Sequence, residues 1–302
     1  MNIGIFDIGS NTIRMNVYAV SKSGAYDLLL TRKVQAGLAS SVVDGRLSEA
    51  GIVRLRDALL DLKEWLRHVK TDRLSAFATA VLRNIANTQA VLSQIEQSVG
   101  LDIAVLSGET EAHLGFEGVR GHIRSLEGVL LDIGGGSTEI TRFTSTGVTR
   151  CASYPVGSLN LYDEFVGDGI LPKRKELKEM CRAVRERVSD AELVEFGPSD
   201  YVCAIGGSSR SVMKLANAFL ARDERRSVFT RDEIVRLRDA LAEGSSSARR
   251  LVLQTCPHRI HTILPGMTIL CQLLKRFDAK VLEVCPVGIR EGYLKRLLKE
   301  SK

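Results

Sequence analysis

Residues 3–12 read Ile-Gly-Ile-Phe-Asp-Ile-Gly-Ser-Asn-Thr, and residues 129–139 read Val-Leu-Leu-Asp-Ile-Gly-Gly-Gly-Ser-Thr-Glu. Each stretch is an apolar run that ends in Asp-Ile-Gly and continues through small polar residues into a second β-rich run. This order predicts a strand, a tight turn and a second strand. Glycines let the amides of such a turn face an anion, and Ser and Thr hydroxyls add donors. One copy is typical of an ordinary hairpin, whereas two copies indicate a duplicated phosphate-binding unit.

The composition is that of a globular protein with an excess of cations. The 302 residues are 44% hydrophobic and 26% charged, which is enough for two domains with ample cores. The net charge of +6 favours a polyanionic partner. Aromatic residues make up only 5% of the chain, which disfavours base stacking, so we expect no nucleic-acid partner.

The sequence also bears on the compartment. No apolar run approaches the length of a membrane span, and we find no signal peptide, so we expect no membrane partner. The six cysteines form no C-x-x-C pair, which is typical of reduced thiols. We therefore expect a cytoplasmic protein.

The predicted elements follow a similar order in both halves of the chain. In the first half they are strands at 2–8, 13–20 and 26–34, a helix at 48–68, a strand at 74–79, a helix at 84–98, a strand at 102–106 and a further helix that Ser107 and Gly108 open. In the second half they are strands at 128–133, 137–143 and 147–155, helices at 158–165 and 173–194, and a strand at 201–205 that leads through residues 206–209 into a helix. Further helices at 231–243, 246–255 and 259–277, a strand at 281–284 and a helix at 289–300 follow. The interpretation is an α/β protein with two similar β-β-β-α-β-α domains and a cleft between them. We place the domains at 1–122 and 123–302, with packing of the last helix on the first domain as an option.

The duplicated unit resembles the superfamily of actin, hexokinase and the heat-shock chaperones, whose domains are ribonuclease H-like. Within it, the chain resembles the exopolyphosphatase and guanosine pentaphosphatase family, in its short two-domain form. The resemblance covers nearly the whole chain and rests on Asp7–Thr12, Ala78–Asn84, Leu106–Ala112, Asp132–Glu139, the stretch from Arg259 to Gly266, and Gly288–Gly292. Each motif is modest alone, and their common order makes the match specific. One departure is His113, which stands where the family commonly has Arg.

Several residues are candidates for the chemistry. The resemblance implies that Glu111, near the start of a predicted helix, is the general base that activates water. Asp132 and Glu139 flank the second glycine turn, where a hairpin would bring both carboxylates to Mg²⁺, with Asp7 as a third carboxylate. A monovalent cation such as K⁺ is a further option. The expected phosphate ligands are Ser10, Asn11, Thr12, Arg83, Gly134, Gly135, Gly136, Ser137, Thr138, Gly207 and Arg259.

The resemblance implies a phosphoanhydride hydrolase that releases terminal orthophosphate from inorganic polyphosphate. Removal of the 5′ γ-phosphate from guanosine pentaphosphate is the alternative within the family. Two other classes stay open, an ATP-dependent small-molecule kinase and a non-catalytic polyphosphate-binding regulator. A kinase would need an adenosine pocket, for which residues 206–210 are the candidate turn. A homodimer is compatible with the sequence.

Overall fold

The computed structural model describes residues 1–166 and 169–300, and the chain forms two compact units. The first comprises Met1–Glu111 and the segment from Tyr293, and the second comprises Ala112–Gly292. The division therefore falls inside a helix, earlier than the expected boundary at 122/123. The physical reason is that Phe116 and Val119, in the second half of that helix, belong to a buried apolar cluster of the second unit.

The first unit is built on a five-stranded sheet with the strand order β3-β2-β1-β6-β7. The first three strands are antiparallel, and β6 and β7 extend the sheet in parallel from β1. Its elements are β1 (Asn2–Ile8), β2 (Thr12–Val20), β3 (Tyr26–Gln35), β4 (Val42–Val43), β5 (Arg46–Leu47), α1 (Glu49–Glu64), β6 (Arg73–Ala78), α2 (Ala80–Arg83), α3 (Thr88–Val99), β7 (Ile103–Val105) and α4 (Gly108–Val119), which continues into the second unit.

The second unit repeats this order around a six-stranded sheet, β10-β9-β8-β11-β13-β12. Its elements are β8 (Gly128–Ile133), β9 (Thr138–Thr144), β10 (Gly147–Tyr154), α5 (Ser158–Phe165), α6 (Arg174–Arg187), α7 (Asp190–Val194), β11 (Tyr201–Ile205), α8 (Gly206–Phe219), β12 (Val228–Thr230), α9 (Arg231–Ala242), α10 (Ser246–Thr255), α11 (Ile263–Arg276), β13 (Val281–Val284) and the start of α12 (Ile289–Glu300), which continues into the first unit from Tyr293. Strands β8, β11 and β13 are parallel, and β12 adds an antiparallel edge. The α/β class and the repeated strand order are as predicted.

Each sheet is covered by helices that bury its apolar face. In the first unit, α1 and α3 cover the sheet with residues such as Leu55, Leu59 and Ile95. In the second unit, α11 is buried along most of its length and is the central helix of the core. Among the described residues, none of the helices is both long and apolar enough to cross a membrane.

In the second unit, two predicted helices differ from the observed ones, and a short edge strand was not predicted. The expected helix at 173–194 is two helices, because Ser189 ends the first and its hydroxyl caps the second by accepting a hydrogen bond from the Glu192 amide at 3.2 Å. The expected helix at 259–277 begins only at Ile263, after a 3-10 turn over Pro257–Arg259. The edge strand β12 is too short for periodicity to reveal.

Candidate active site

The two glycine turns have the same backbone hydrogen bond. In the first unit the Gly9 amide donates to the Thr12 carbonyl at 3.2 Å, and in the second the Gly134 amide donates to the Ser137 carbonyl at 2.9 Å. Both turns connect the first two strands of their sheet, β1 to β2 and β8 to β9. The sequence duplication is therefore also a duplication of turn geometry.

In the second turn, the carbonyl groups are held by the start of α5. The Gly134 carbonyl accepts a hydrogen bond from the Ser158 amide at 2.9 Å, and the Gly135 carbonyl accepts from the next amide of α5 at the same distance. The Asn160 side-chain amide donates to the Gly136 carbonyl at 3.1 Å. All three glycine carbonyls therefore face α5.

The first turn is held in the same way by the segment that follows β3. The carbonyls of Ser10 and Asn11 accept hydrogen bonds from the amides of Ala39 and Gly37, each at 3.0 Å. Their own amides have no acceptor among the described residues, and the same is true of the amides over 135–137 in the second turn. Consecutive amides without acceptors are typical of an anion-binding concavity, and phosphate binding at the two turns stays a prediction.

Arg259 places a cation at the turn between β11 and α8 in the second unit. A Cβ atom on Gly207 would lie 2.2 Å from Nη2 of Arg259, so the guanidinium rests directly on this glycine. Burial lowers the pKa of Arg259 from its ordinary value, although the nearby Cys256 opposes that shift. No described carboxylate forms an ion pair with this guanidinium. A desolvated guanidinium without a carboxylate favours an anionic ligand.

The turn between β11 and α8 also lies close to the Asp132 carboxylate. Gly206 has φ 85°, a left-handed conformation that favours glycine. A Cβ atom there would lie 2.3 Å from Oδ1 of Asp132, so this carboxylate lies at the uncapped start of α8. The helix dipole stabilises negative charge at that place.

Asp132 and Glu139 fit a magnesium site by their chemistry. They are directly opposite each other in the β8–β9 register, and so lie on one face of the sheet. Glu139 is buried, and its Oε1 accepts hydrogen bonds from the hydroxyls of Ser137 at 2.8 Å and Ser153 at 2.7 Å. Two neighbouring carboxylates and only oxygen donors are the ligands that Mg²⁺ prefers. Whether they bind the ion stays a prediction.

The hydroxyls of the second turn have acceptors within the protein, and the phosphate contacts expected of Ser137 and Thr138 stay a prediction. The Ser137 hydroxyl donates to Glu139, and the Thr138 hydroxyl donates to the Val156 carbonyl at 2.5 Å. Both side chains are buried. The turn therefore presents amides, and its hydroxyls hold the site together.

In the first unit, Arg83 and Glu111 form an ion pair. Nη1 of Arg83 lies 2.8 Å from Oε2 of Glu111 and also donates to the Leu106 carbonyl at 3.1 Å. Glu111 lies in the first turn of α4, which Ser107 caps by accepting a hydrogen bond from the Thr110 amide at 3.1 Å. The carboxylate is thus held at one orientation by its helix and by Arg83. The structure adds this contact to the phosphate contact that was expected of Arg83.

Asp7 in the first unit has a different cross-strand neighbour from Asp132, the corresponding residue of the second unit. It is opposite Arg14 in the β1–β2 register, where the second unit has Glu139 opposite Asp132. Because an arginine lies opposite Asp7, we expect Asp7 to be a weaker metal ligand than Asp132.

Sequence reasoning missed two residues that shape the second turn. Asn160 bonds the Gly136 carbonyl, and Oδ1 of the same side chain accepts from the Gly157 amide at 2.8 Å. Gly157 approaches the Gly135 carbonyl so closely that no side chain fits there. The Gly-x-x-Asn spacing directly after β10 was the available signal.

Comparisons with known proteins identify the family of this chain. Residues 17–301 match the Ppx/GppA phosphatase family. Exopolyphosphatase 1 of Mycobacterium tuberculosis is 26% identical over 99% of this chain and 88% of its own length. The guanosine-5′-triphosphate,3′-diphosphate pyrophosphatase of Aeromonas salmonicida is 27% identical over 97% of this chain, which spans 58% of that protein. The crystal structure of the Aquifex aeolicus Ppx/GppA family member superimposes with a TM-score of 0.79 and 27% identity, covering 100% of this chain and 99% of that one.

Proposed function

Since the chain belongs to the Ppx/GppA phosphatase family, we propose that it is an exopolyphosphatase that removes terminal orthophosphate from inorganic polyphosphate. The observation that carries the proposal is the second glycine turn. Its amides over 135–137 have no acceptor among the described residues, and the guanidinium of Arg259, resting on Gly207, has no described carboxylate partner. Amides and a desolvated guanidinium together favour a ligand with several anionic oxygens, as in a phosphate chain.

Glu111 is proposed as the general base. As water attacks the terminal phosphorus, a proton passes from the water to the Glu111 carboxylate, and the bond from that phosphorus to the bridging oxygen breaks. The shortened chain leaves with the bridging oxygen. Arg83, 2.8 Å from Glu111, keeps the carboxylate oriented and balances its charge before the proton arrives.

Asp132 and Glu139 are the residues that would hold Mg²⁺. When bound, the ion supplies positive charge to the phosphate oxygens as the leaving group departs. The turn amides and Arg259 bind the same class of oxygen and fix the chain end for attack. Ser137 and Ser153 keep the Glu139 carboxylate in place.

Guanosine pentaphosphate is the second candidate substrate, favoured by the similarity to the Aeromonas salmonicida pyrophosphatase. Its 5′ phosphates are also a phosphoanhydride chain, so the same residues would act. The test is phosphate release, with Mg²⁺, from long polyphosphate, tripolyphosphate, guanosine pentaphosphate and ATP side by side. We expect a higher kcat/KM for polyphosphate than for guanosine pentaphosphate or ATP. A preference for guanosine pentaphosphate would replace the first proposal by the second, and phosphate transfer to an added alcohol without hydrolysis would show a kinase.

A further inference from the structure

The second unit carries a large cationic groove that the proposed reaction does not use. Helix α11 forms its floor, and α6 and α9 form its walls, enclosing about 1190 Å³. We call it the α6–α9 groove. Its charged lining residues are Arg174, Lys178, Arg185, Arg231, Asp232, Arg238, Asp239, Lys275 and Asp278.

The cations in this groove are ordered by the helices. Arg174, Lys178, Cys181 and Arg185 follow one another at intervals of four, three and four residues on α6, which places them on one helix face. On α9, Arg231, Val235 and Arg238 follow at intervals of four and three. Two such faces line opposite walls above the same helix. The charges therefore converge on one space.

The groove carries a net positive charge that its own carboxylates do not cancel. Six cations face three carboxylates, which leaves +3 of the chain's net +6 at this place. Asp278 pairs with Arg231 at 3.2 Å, and Asp239 pairs with Arg238 at 2.6 Å. By contrast, none of the described residues forms an ion pair with Arg174, Lys178 or Lys275.

The two thiols that line the groove, Cys181 on α6 and Cys271 on α11, add no negative charge. Burial raises the pKa of the Cys271 thiol to about 12, and it also raises the pKa of Cys181. Both thiols are therefore neutral near pH 7. Thr268 and Gln272 complete the floor with neutral hydrogen-bonding groups. This lining suits a hydrated polyanion better than an apolar ligand.

The groove is distinct from the glycine turns. A Cβ atom on Gly266 of α11 would lie 3.5 Å from Ser208, in the first turn of α8. Thr268 and Lys275 lie roughly 160–180° around the same helix from Gly266, at about 100° per residue. The groove thus opens on the opposite side of α11, and a ligand must extend around a helix about 10 Å across to touch both places.

We propose that the α6–α9 groove is a second binding site for a phosphate chain, which holds the interior of a long polyphosphate while its end is hydrolysed. The groove proposal rests on the proposed function, which supplies polyphosphate as the substrate. Once the end of a long polyphosphate is bound where it reacts, its interior binds the groove intramolecularly. This raises the affinity for long polyphosphate without new contacts at the reacting end. Tripolyphosphate is too short to reach both.

The test compares two triple variants of the full chain that lose equal charge. The groove variant is Arg174→Gln/Lys178→Gln/Lys275→Gln. The control variant is Arg222→Gln/Arg225→Gln/Arg249→Gln, which removes three exposed arginines that do not line the groove. Thermal melting first establishes that both variants are folded.

Binding of labelled long polyphosphate is measured as a function of salt, with Glu111→Gln added to each protein so that the chain is not consumed. Three lost phosphate contacts should reduce the slope of log affinity against log salt by about 2. When salt rises from 50 to 200 mM, the groove variant should therefore lose on the order of tenfold less affinity than the control variant. In the active proteins, the ratio of KM for long polyphosphate to KM for tripolyphosphate should rise in the groove variant alone.

Equal slopes and equal KM ratios in the two triple variants would overturn the groove proposal. So would a failure of the groove-intact Glu111→Gln protein to bind long polyphosphate more tightly than tripolyphosphate. Neither result touches the proposed reaction, which is tested by phosphate release from tripolyphosphate. A groove effect on binding together with no release from any chain would retain this site and refute the exopolyphosphatase activity.

Discussion

Replacing Gly157 by alanine should displace the second glycine turn. Gly157 has φ −135° and ψ 170°, a conformation that alanine adopts without strain, so the effect comes from contact alone. The new Cβ atom would lie 2.3 Å from the Gly135 carbonyl oxygen, 2.4 Å from its carbon and 2.6 Å from the Gly136 nitrogen. These are backbone atoms, which cannot rotate away. Restoring an ordinary contact of about 3.5 Å requires the turn and α5 to separate by about 1 Å.

A shift of that size in the second glycine turn, which is proposed to position the substrate, should lower kcat/KM on the order of 10²-fold. Crowding should also cost about 1–3 kcal/mol of stability. The assay is phosphate release from tripolyphosphate, together with thermal melting. Gly115→Ala is the matched control, since its Cβ atom would meet only the terminal methyl of Ile205 at 3.2 Å and one other side-chain methyl group. If Gly157→Ala melted at a lower temperature yet kept the kcat/KM of the unchanged protein, the turn would not position the substrate.

Four further substitutions test the roles of single side chains. Glu111→Gln should keep substrate affinity and lower kcat on the order of 10²–10⁴-fold, because the amide cannot accept the proton; near-normal turnover would make Glu111 only a charge at a helix start. Asp132→Asn and Glu139→Gln should each raise the Mg²⁺ concentration for half-maximal activity, and an unchanged titration would remove that residue from the metal site. Arg259→Lys should raise KM by about 10- to 100-fold, since an ammonium group cannot bind phosphate oxygens through a planar fork; an unchanged KM would mean that Arg259 does not contact substrate.

The parts of the site that sequence reasoning predicted are those set by local chemistry. A tight turn with outward amides needs glycine, and the strands on either side show their apolar periodicity, so both turns were readable from residues 3–12 and 129–139. The first turn of α4 was likewise marked by Ser107 and its neighbouring carboxylates.

The parts that were missed depend on contacts between separate segments. Asn160 holds Gly136 from 24 residues away, and Arg83 meets Glu111 across 28 residues. Nothing in the local sequence of either partner specifies the other. The hydrogen bond of the Thr138 hydroxyl was missed for the same reason, because its acceptor, the Val156 carbonyl, lies on a later segment.

The two halves of the duplication differ in the residue that lies opposite the aspartate near the end of the first strand. In the first unit Asp7 is opposite Arg14, an opposite-charge pair that stabilises the sheet. In the second unit Asp132 is opposite Glu139, and like charges directly opposite each other destabilise it. Hydroxyl donors relieve part of that cost at Glu139, and a bound divalent cation would relieve more. The duplicated turns thus share one backbone arrangement, which we propose binds phosphate oxygens, while the cross-strand position gives the second turn, and not the first, the paired carboxylates that we propose for Mg²⁺. Substituting Asp7 should therefore perturb Mg²⁺ dependence less than substituting Asp132.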